Sequence, residues 1–514
     1  MSKKARRFIL MAMAVSVAAG AWALVSRNGA SVEDAVAVPR PPRIRPDYSG
    51  TVIPPNIAPL NFVVREQGTR FLVRIRSEEG DPIEIVSRSP KITIRSRRWR
   101  SLLEANRGKD LRFDVYTELD GRWRRYQTIV NRVAQHAVDD YVVYRLTGPI
   151  HQWWSRVGVY QRDLTTYRES VVLDGTTFGR GCVNCHSFAD NRPDPMFIAT
   201  RSDRFGSAAI LVRDGEAKKI GTTFGYTAWH PSGRVAAYSI NKVGQFFHAA
   251  GPEVRDVVDL DAALAYYVAE TENVKMVPRA SDKQRLETYP AWSPDGRYLY
   301  YCSAPVLWTD RDARPPTRYA DVRYDLMRIS YDVDADAWGE PEMVLSARET
   351  GLSILQPRVS PDGEFLLFCM CRYGCFPIYQ PTSDLYMMDL ETGDHTKLEI
   401  NSPLAESWHS WSSNSRWIAF SSRRRGGLFT RCYLSYVDET GRAHKPFILP
   451  RSDPQSYDSL LKSISVPELI TGPVSVDAET LARCARSRDA IAVDAVTRPS
   501  PLAGASEPWK PVGP

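Results

Sequence analysis

The chain has 514 residues, 43% hydrophobic and 25% charged, with a formal net charge of +7. That composition is ordinary for a soluble globular protein, and the length exceeds one ordinary domain and implies two or three. Twenty basic against thirteen acidic residues fall between Arg65 and Asp163, but the bases alternate along apparent strands instead of lining one helix, which argues against nucleic acid.

Lys3, Lys4, Arg6 and Arg7 precede an uncharged run from Phe8 to Val25, followed shortly by Arg27. This is a signal peptide or a single uncleaved anchor over residues 1–26, and its basic end stays inside while the rest is exported. Residues 27–58 read as a linker kept extended by Pro39, Pro41, Pro42, Pro46, Pro54 and Pro55, with little in it to bury. From 59 to 148 short alternating runs follow, such as Phe71-Leu-Val-Arg-Ile-Arg76 and Tyr141-Val-Val-Tyr-Arg-Leu146. Seven or so strands in that space suggest a β-sandwich, with one short helix over 99–105. The run Arg95-Ser-Arg-Arg-Trp-Arg100 reads more simply as a solvated face than as an anion site.

Residues 149–195 form a connector that carries Gly181-Cys182-Val183-Asn184-Cys185-His186-Ser187. Cys-X-X-Cys-His is the attachment signature of a c-type haem: two thiols add to one porphyrin's two vinyl groups, and the imidazole ligates the iron. The alternatives are a dithiol redox pair or half a zinc site, but there is no second Cys-X-X-Cys to complete a zinc set.

From 196 to 480 one element recurs four times, as Ala228-Trp-His-Pro-Ser-Gly, Ala291-Trp-Ser-Pro-Asp-Gly, Arg358-Val-Ser-Pro-Asp-Gly and Ser410-Trp-Ser-Ser-Asn-Ser. Each is a turn followed by a short apolar strand, which is the unit of a β-propeller blade. Five blades are visible. A sixth is expected from 459–477, from chain before the haem motif, or from both. Asn414 in place of Asp implies a weaker turn in the last clear blade, and Asp295 and Asp362 are turn acids rather than catalysts. No hydrolase constellation stands out. Cys369, Cys371 and Cys375 crowd one blade, which leaves a disulfide from Cys375 to Cys371 or Cys432, or a three-thiol metal site, as possibilities. Residues 481–514 read as a disordered tail.

The Trp-Ser-Pro-Asp-Gly elements resemble those of TolB-like propellers, also called WD40-like repeats. The whole arrangement resembles bacterial exported monohaem c-type cytochromes fused to such a propeller. The expectation is therefore a mainly β protein with an N-terminal β-sandwich-like domain, a haem segment and a six-bladed propeller. One covalent haem c is held by Cys182, Cys185 and His186. For the distal iron ligand His248 leads and Met196 follows, with His151, His230 and an open position behind them. Function is expected to be electron transfer in the periplasm, or at the periplasmic face of the inner membrane. The partner is a redox protein, acidic in character, or a membrane-associated electron-transfer complex. A haem-bearing scaffold or sensor, and a haem enzyme such as a peroxidase, stay open as alternatives.

Overall fold

The computed structural model describes residues 32–148, 157–222, 224–248, 255–310, 313 and 315–491. Among them, six four-stranded antiparallel sheets are arranged as propeller blades around a central channel. Blade 1 is built from 182–188, 196–202, 206–213 and 216–220, and blade 2 from 227–229, 235–247, 255–268 and 273–276. Blade 3 uses 285–292, 298–305, 325–332 and 337–345, and blade 4 uses 353–359, 365–371, 384–389 and 395–397. Blade 5 uses 406–411, 417–422, 431–436 and 447–448. In each, the first strand is innermost.

Blade 6 is composite. Its inner strand is Ser463–Ile470, and its other three are Tyr141–Thr147, Gly158–Asp163 and Glu169–Asp174. Both sources proposed for the sixth blade are used. Tyr141–Thr147, read as the last strand of the first domain, belongs instead to the ring, because its apolar residues Val142, Val143 and Tyr144 are fully buried there.

The repeat owes its form to one hydrogen-bond pattern. The Ser293 hydroxyl donates to Asp295 (2.5 Å) and accepts from the Tyr298 amide (3.0 Å), while Asp295 also accepts from the Arg297 amide (3.0 Å). Ser360 and Asp362 repeat this. Ser412 and Asn414 repeat it as well, with 2.6, 3.0 and 3.1 Å contacts. The turn expected to be weaker therefore keeps its bonds, because an amide oxygen accepts where a carboxylate would. Its difference lies one residue on: Ser415 has φ 59° where the other turns place Gly233, Gly296 and Gly363, a region costly for a side chain. The tryptophans staple neighbouring blades. Trp292 Nε1 donates to the Ala228 carbonyl (3.2 Å) and Trp411 Nε1 to that of Arg358 (3.0 Å).

The N-terminal domain consists of two sheets. A seven-stranded one includes 36–38, 52–53, 70–76, 83–87, 110–119, 122–126 and 129–133, and a three-stranded one comprises 44–45, 62–64 and 91–92. The expected linker is thus part of this domain. Val36–Val38 pairs with Arg124–Tyr126, and Tyr48, Ile53 and Ile57 are buried. Proline-fixed extended chain is already close to strand geometry, and edge positions tolerate the missing amide. A helix over Ser96–Ala105 buries Trp99, Leu102 and Leu103 and leaves Arg97, Arg98 and Arg100 exposed.

This domain docks on blade 5. Asp139 accepts from the Ser413 amide and hydroxyl (2.9 and 2.6 Å), and Trp417 Nε1 donates to the His136 carbonyl (3.0 Å). Part of the stretch expected as a tail from 481 is folded. Ala478–Arg486 is a helix capped by Asp477, and its Leu481, Ala482 and Ala485 are buried against blades 1 and 6. No helix among the described residues is long and apolar enough to cross a membrane. The N-terminal apolar run lies outside the described residues. None of the eight cysteines is in a disulfide. The expected pairings fail because Cys375 Sγ is turned to the Val257 carbonyl (3.4 Å) and Cys371 Sγ to that of Tyr373 (3.3 Å). Among the described residues no three-ligand metal cluster forms.

Trp411→Phe removes a bond between blades and leaves a buried carbonyl without its donor. It should lower unfolding free energy by about 1–2 kcal/mol, read as a reduced urea midpoint at unchanged slope; an unchanged midpoint would contradict the staple.

Candidate functional site

The motif is delivered to the channel by a tight turn. Asp174 ends the outer strand of blade 6 and caps a 3₁₀ turn over Gly175–Phe178, accepting from the Thr176 amide (2.9 Å). Gly179 and Arg180 then take left-handed conformations, φ 72° and 57°. A side chain at Gly181 would collide with the Phe178 ring, and one at Gly175 with the Gly181 carbonyl. These two positions require glycine, and the turn drops Cys182–Phe188 into the ring as the inner strand of blade 1.

That strand is not regular. Its register against Met196–Ser202 slips between Val183 and His186. The inner strands of blades 3, 4 and 5 slip at the matching place, around Tyr289, Gln356 and Trp408, all with positive φ. Val466 in blade 6 does the same. A bulge re-aims the side chains beside it, and here the bulges ring one cavity.

Cys185, His186, Gln356, Trp408, His409 and Glu468 all line it, together with Tyr226, Tyr289 and Arg358. At the end where the inner strands begin, Tyr226 stacks on Tyr289 at 4.0 Å, with Trp408 at 5.6 Å and Phe376 behind it. Where the strands finish, Asn191 donates to the carbonyls of Trp411 and Leu469, both at 2.7 Å.

The site is buried, and its ionisation follows from that. Burial holds His186 neutral, its pKa lowered to about 3, with the Arg145 charge acting in the same direction. Burial likewise lowers His409 to about 3, helped by Arg358. The Glu468 carboxyl is pushed up to about 7 by burial, against the opposing Arg358 guanidinium 3.2 Å away. Burial raises both Cys182 and Cys185, the latter to about 11. Thiols so held are poor thiolates, which disfavours a dithiol exchange pair.

Several unpartnered polar atoms lie here. Both ring nitrogens of His186, Gln356 Nε2, Trp408 Nε1 and His409 Nδ1 are buried with no hydrogen-bond partner. Folded proteins pair nearly all such groups, so several around one cavity point to a ligand. The donor set fits a c-type haem. Cys185 lies within the bulge and lines the cavity, Cys182 stands just before it, and the imidazole that follows is neutral. The space is tighter: about 40 Å³ is free, against roughly 300–1,000 Å³ for small-molecule sites. A porphyrin is larger than that space, so it would have to be in place before the lining side chains close around it.

Cys182, Cys185 and His186 are thus brought together, but the two expected distal ligands are not. His248 lies past the end of the long second strand of blade 2, which carries it beyond the blade, and its Nε2 is paired with Asp256 at 2.7 Å. Met196 is fully buried among the side chains packed between blades 1 and 6, not in the channel. His230 holds its turn through Ser232 (2.7 Å) and the Gly296 carbonyl (3.1 Å). His151 lies outside the described residues. Sequence reasoning missed His409, Arg358 and Glu468 as channel residues. A signal existed: Thr227, Pro290, Pro357 and His409 each stand three residues before the first polar residue of the repeat turn, and all four line the cavity.

No family model matches the chain, and no curated protein sequence matches it. Solved structures similar to it include an oligogalacturonate lyase from Vibrio parahaemolyticus (11% identity, TM-score 0.30, 56% of this chain and 85% of that one). Others are the Kuenenia stuttgartiensis hydrazine synthase (11%, 0.32, 55% and 71%) and the Dos1 propeller (12%, 0.31, 54% and 64%). At such identities and scores they say nothing of chemistry; the propeller is established by the strand pairing itself.

Glu468 gives the channel a pH signature. Its folded pKa stands above the ordinary 4.5, so the stability it contributes is complete below that value and is lost as pH rises through about 7. His186 and His409 act oppositely, losing stability as pH falls below the ordinary 6.5 toward about 3. Comparing the parent with Glu468→Gln cancels the histidines. Relative to the parent, the variant should gain on the order of 3 kcal/mol between pH 4.5 and 8. A pH-independent difference in urea midpoints would refute the buried carboxyl.

Proposed function

We propose that the chain is a monohaem c-type cytochrome that carries electrons outside the cytoplasm, with the propeller as the platform on which partners dock. The observation that carries this reading is His186, buried and neutral with neither ring nitrogen hydrogen-bonded, beside Cys182 and Cys185 on a bulged channel strand. Bound haem supplies an iron that changes by one electron. The chain's own groups do the rest. Cys182 and Cys185 tether the ring, and His186 presents a nitrogen to the metal. The backbone groups of Val143 and Val466 face the same imidazole, outside ordinary hydrogen-bond limits. Arg145 and Arg358 place positive charge beside it, suited to the cofactor's carboxylates. The aromatic rings at the channel end exclude water.

Export rests on the N-terminal basic and apolar run, and places the protein in the periplasm or on the periplasmic face of the inner membrane. The basic excess before the motif suits an acidic redox partner or a membrane-associated electron-transfer complex. One observation favours a haem enzyme as second reading: Glu468, with its carboxyl near neutrality in the same cavity, has the ionisation of a proton donor.

The purified exported protein should show a pyridine haemochrome that survives acid–acetone extraction, and a mass increase of one haem. Cys185→Ala should leave only an extractable cofactor. Loss of all colour from the parent on extraction would refute covalent haem. Salt-dependent reduction by an acidic donor supports the carrier; peroxide-dependent turnover supports the enzyme.

A further inference from the structure

Resting on that haem reading, we infer that His409 Nδ1, rather than His248 or Met196, is the second axial donor to the iron. His186 and His409 are the two histidines lining the one cavity, brought there by the inner strands of blades 1 and 5. The tautomer of His409 follows from its neighbour. Its Nε2 stands 3.1 Å from the Leu367 carbonyl, and a carbonyl only accepts, so Nε2 carries the proton and Nδ1 the lone pair. The ring is buried, with 4% exposure. Nδ1 has no partner within ordinary hydrogen-bond limits, although the Gln356 backbone also faces the ring. A metal-ligating histidine characteristically donates its other N–H to a backbone carbonyl or carboxylate, which fixes both the tautomer and the ring orientation. His409 has that arrangement at Nε2. His248 also has a carboxylate behind it, but outside the channel and with 30% of its side chain exposed.

The bulge completes the argument. Trp408 has φ 49°, a strained conformation for a large residue, and the register slips between Ser407 and His409. The strain turns the imidazole inward, at the repeat position where blades 3 and 4 carry Pro290 and Pro357.

The test compares the parent with His409→Ala, His248→Ala and Met196→Ala, all checked for folding by circular dichroism. Covalent haem is measured first, by pyridine haemochrome. A parent without covalent haem overturns the haem reading and this inference together. With haem present, the inference predicts a low-spin oxidised parent whose near-infrared magnetic circular dichroism shows two-imidazole ligation. H409A should be high-spin and bind carbon monoxide when reduced, and added imidazole should restore the low-spin spectrum. H248A and M196A should match the parent. A haem-loaded H409A with the parent's spectrum, or loss of the low-spin state in H248A or M196A instead, overturns the ligand assignment and leaves the haem reading standing. Should H409A not fold, the parent's near-infrared band decides alone: imidazole–thioether or single-imidazole ligation refutes His409.

Discussion

The ring depends on one strand pairing. Ser463–Ile470 must find Tyr141–Thr147, and Arg145 meets Ser465 across 320 residues of sequence. Only then is blade 6 four-stranded and the channel closed on all sides. Much of what is distinctive about the motif's surroundings follows from that closure: the backbone at Val466 and the Arg145 charge reach His186, and Glu468 reaches Cys185, through blade 6. A propeller with five intact blades and an open gap would keep the sequence motif and lose its environment.

Inside the closed ring, ordinary preferences are inverted. Inner strands that could have run regularly are bulged, and four large or β-branched residues adopt positive φ to aim side chains at the axis. Two histidines are held neutral, a carboxyl is held near neutrality, and several polar atoms have no partner. Each costs folding free energy. The repeat turns and tryptophan staples at the blade ends offset this, as a regular scaffold does for a strained centre. The cost concentrates where the cysteines and the imidazole are, and that coincidence gives the channel its functional reading.

Much of this was legible in the chain. Four copies of the turn element gave the propeller, because the turn residues perform the same local bonding wherever they recur, while the sixth blade was expected from chain outside the repeat. The attachment motif was equally local. What sequence could not supply was depth. Proline-rich residues 36–58 look like a tether, yet pair as edge strands, since extended chain fits both roles. Tyr141–Thr147 alternates like any sandwich strand, and only its distant partner assigns it to the ring. His248 stood out for lacking a repeat role, whereas His409 was passed over beside a turn. The channel obeys repeat phase, which His409 satisfies and His248 does not.

The composite blade also has a kinetic side. Pairing so distant in sequence is slow to form relative to the local hairpins of blades 1 to 5. While it is pending, Tyr141–Thr147 presents an unpaired edge, a hazard for association between chains, and Cys182 and Cys185 face solvent through the gap. On the proposed haem reading, a large planar group would have to reach the two thiols while the ring is still open, because only about 40 Å³ is left after the last inner strand docks.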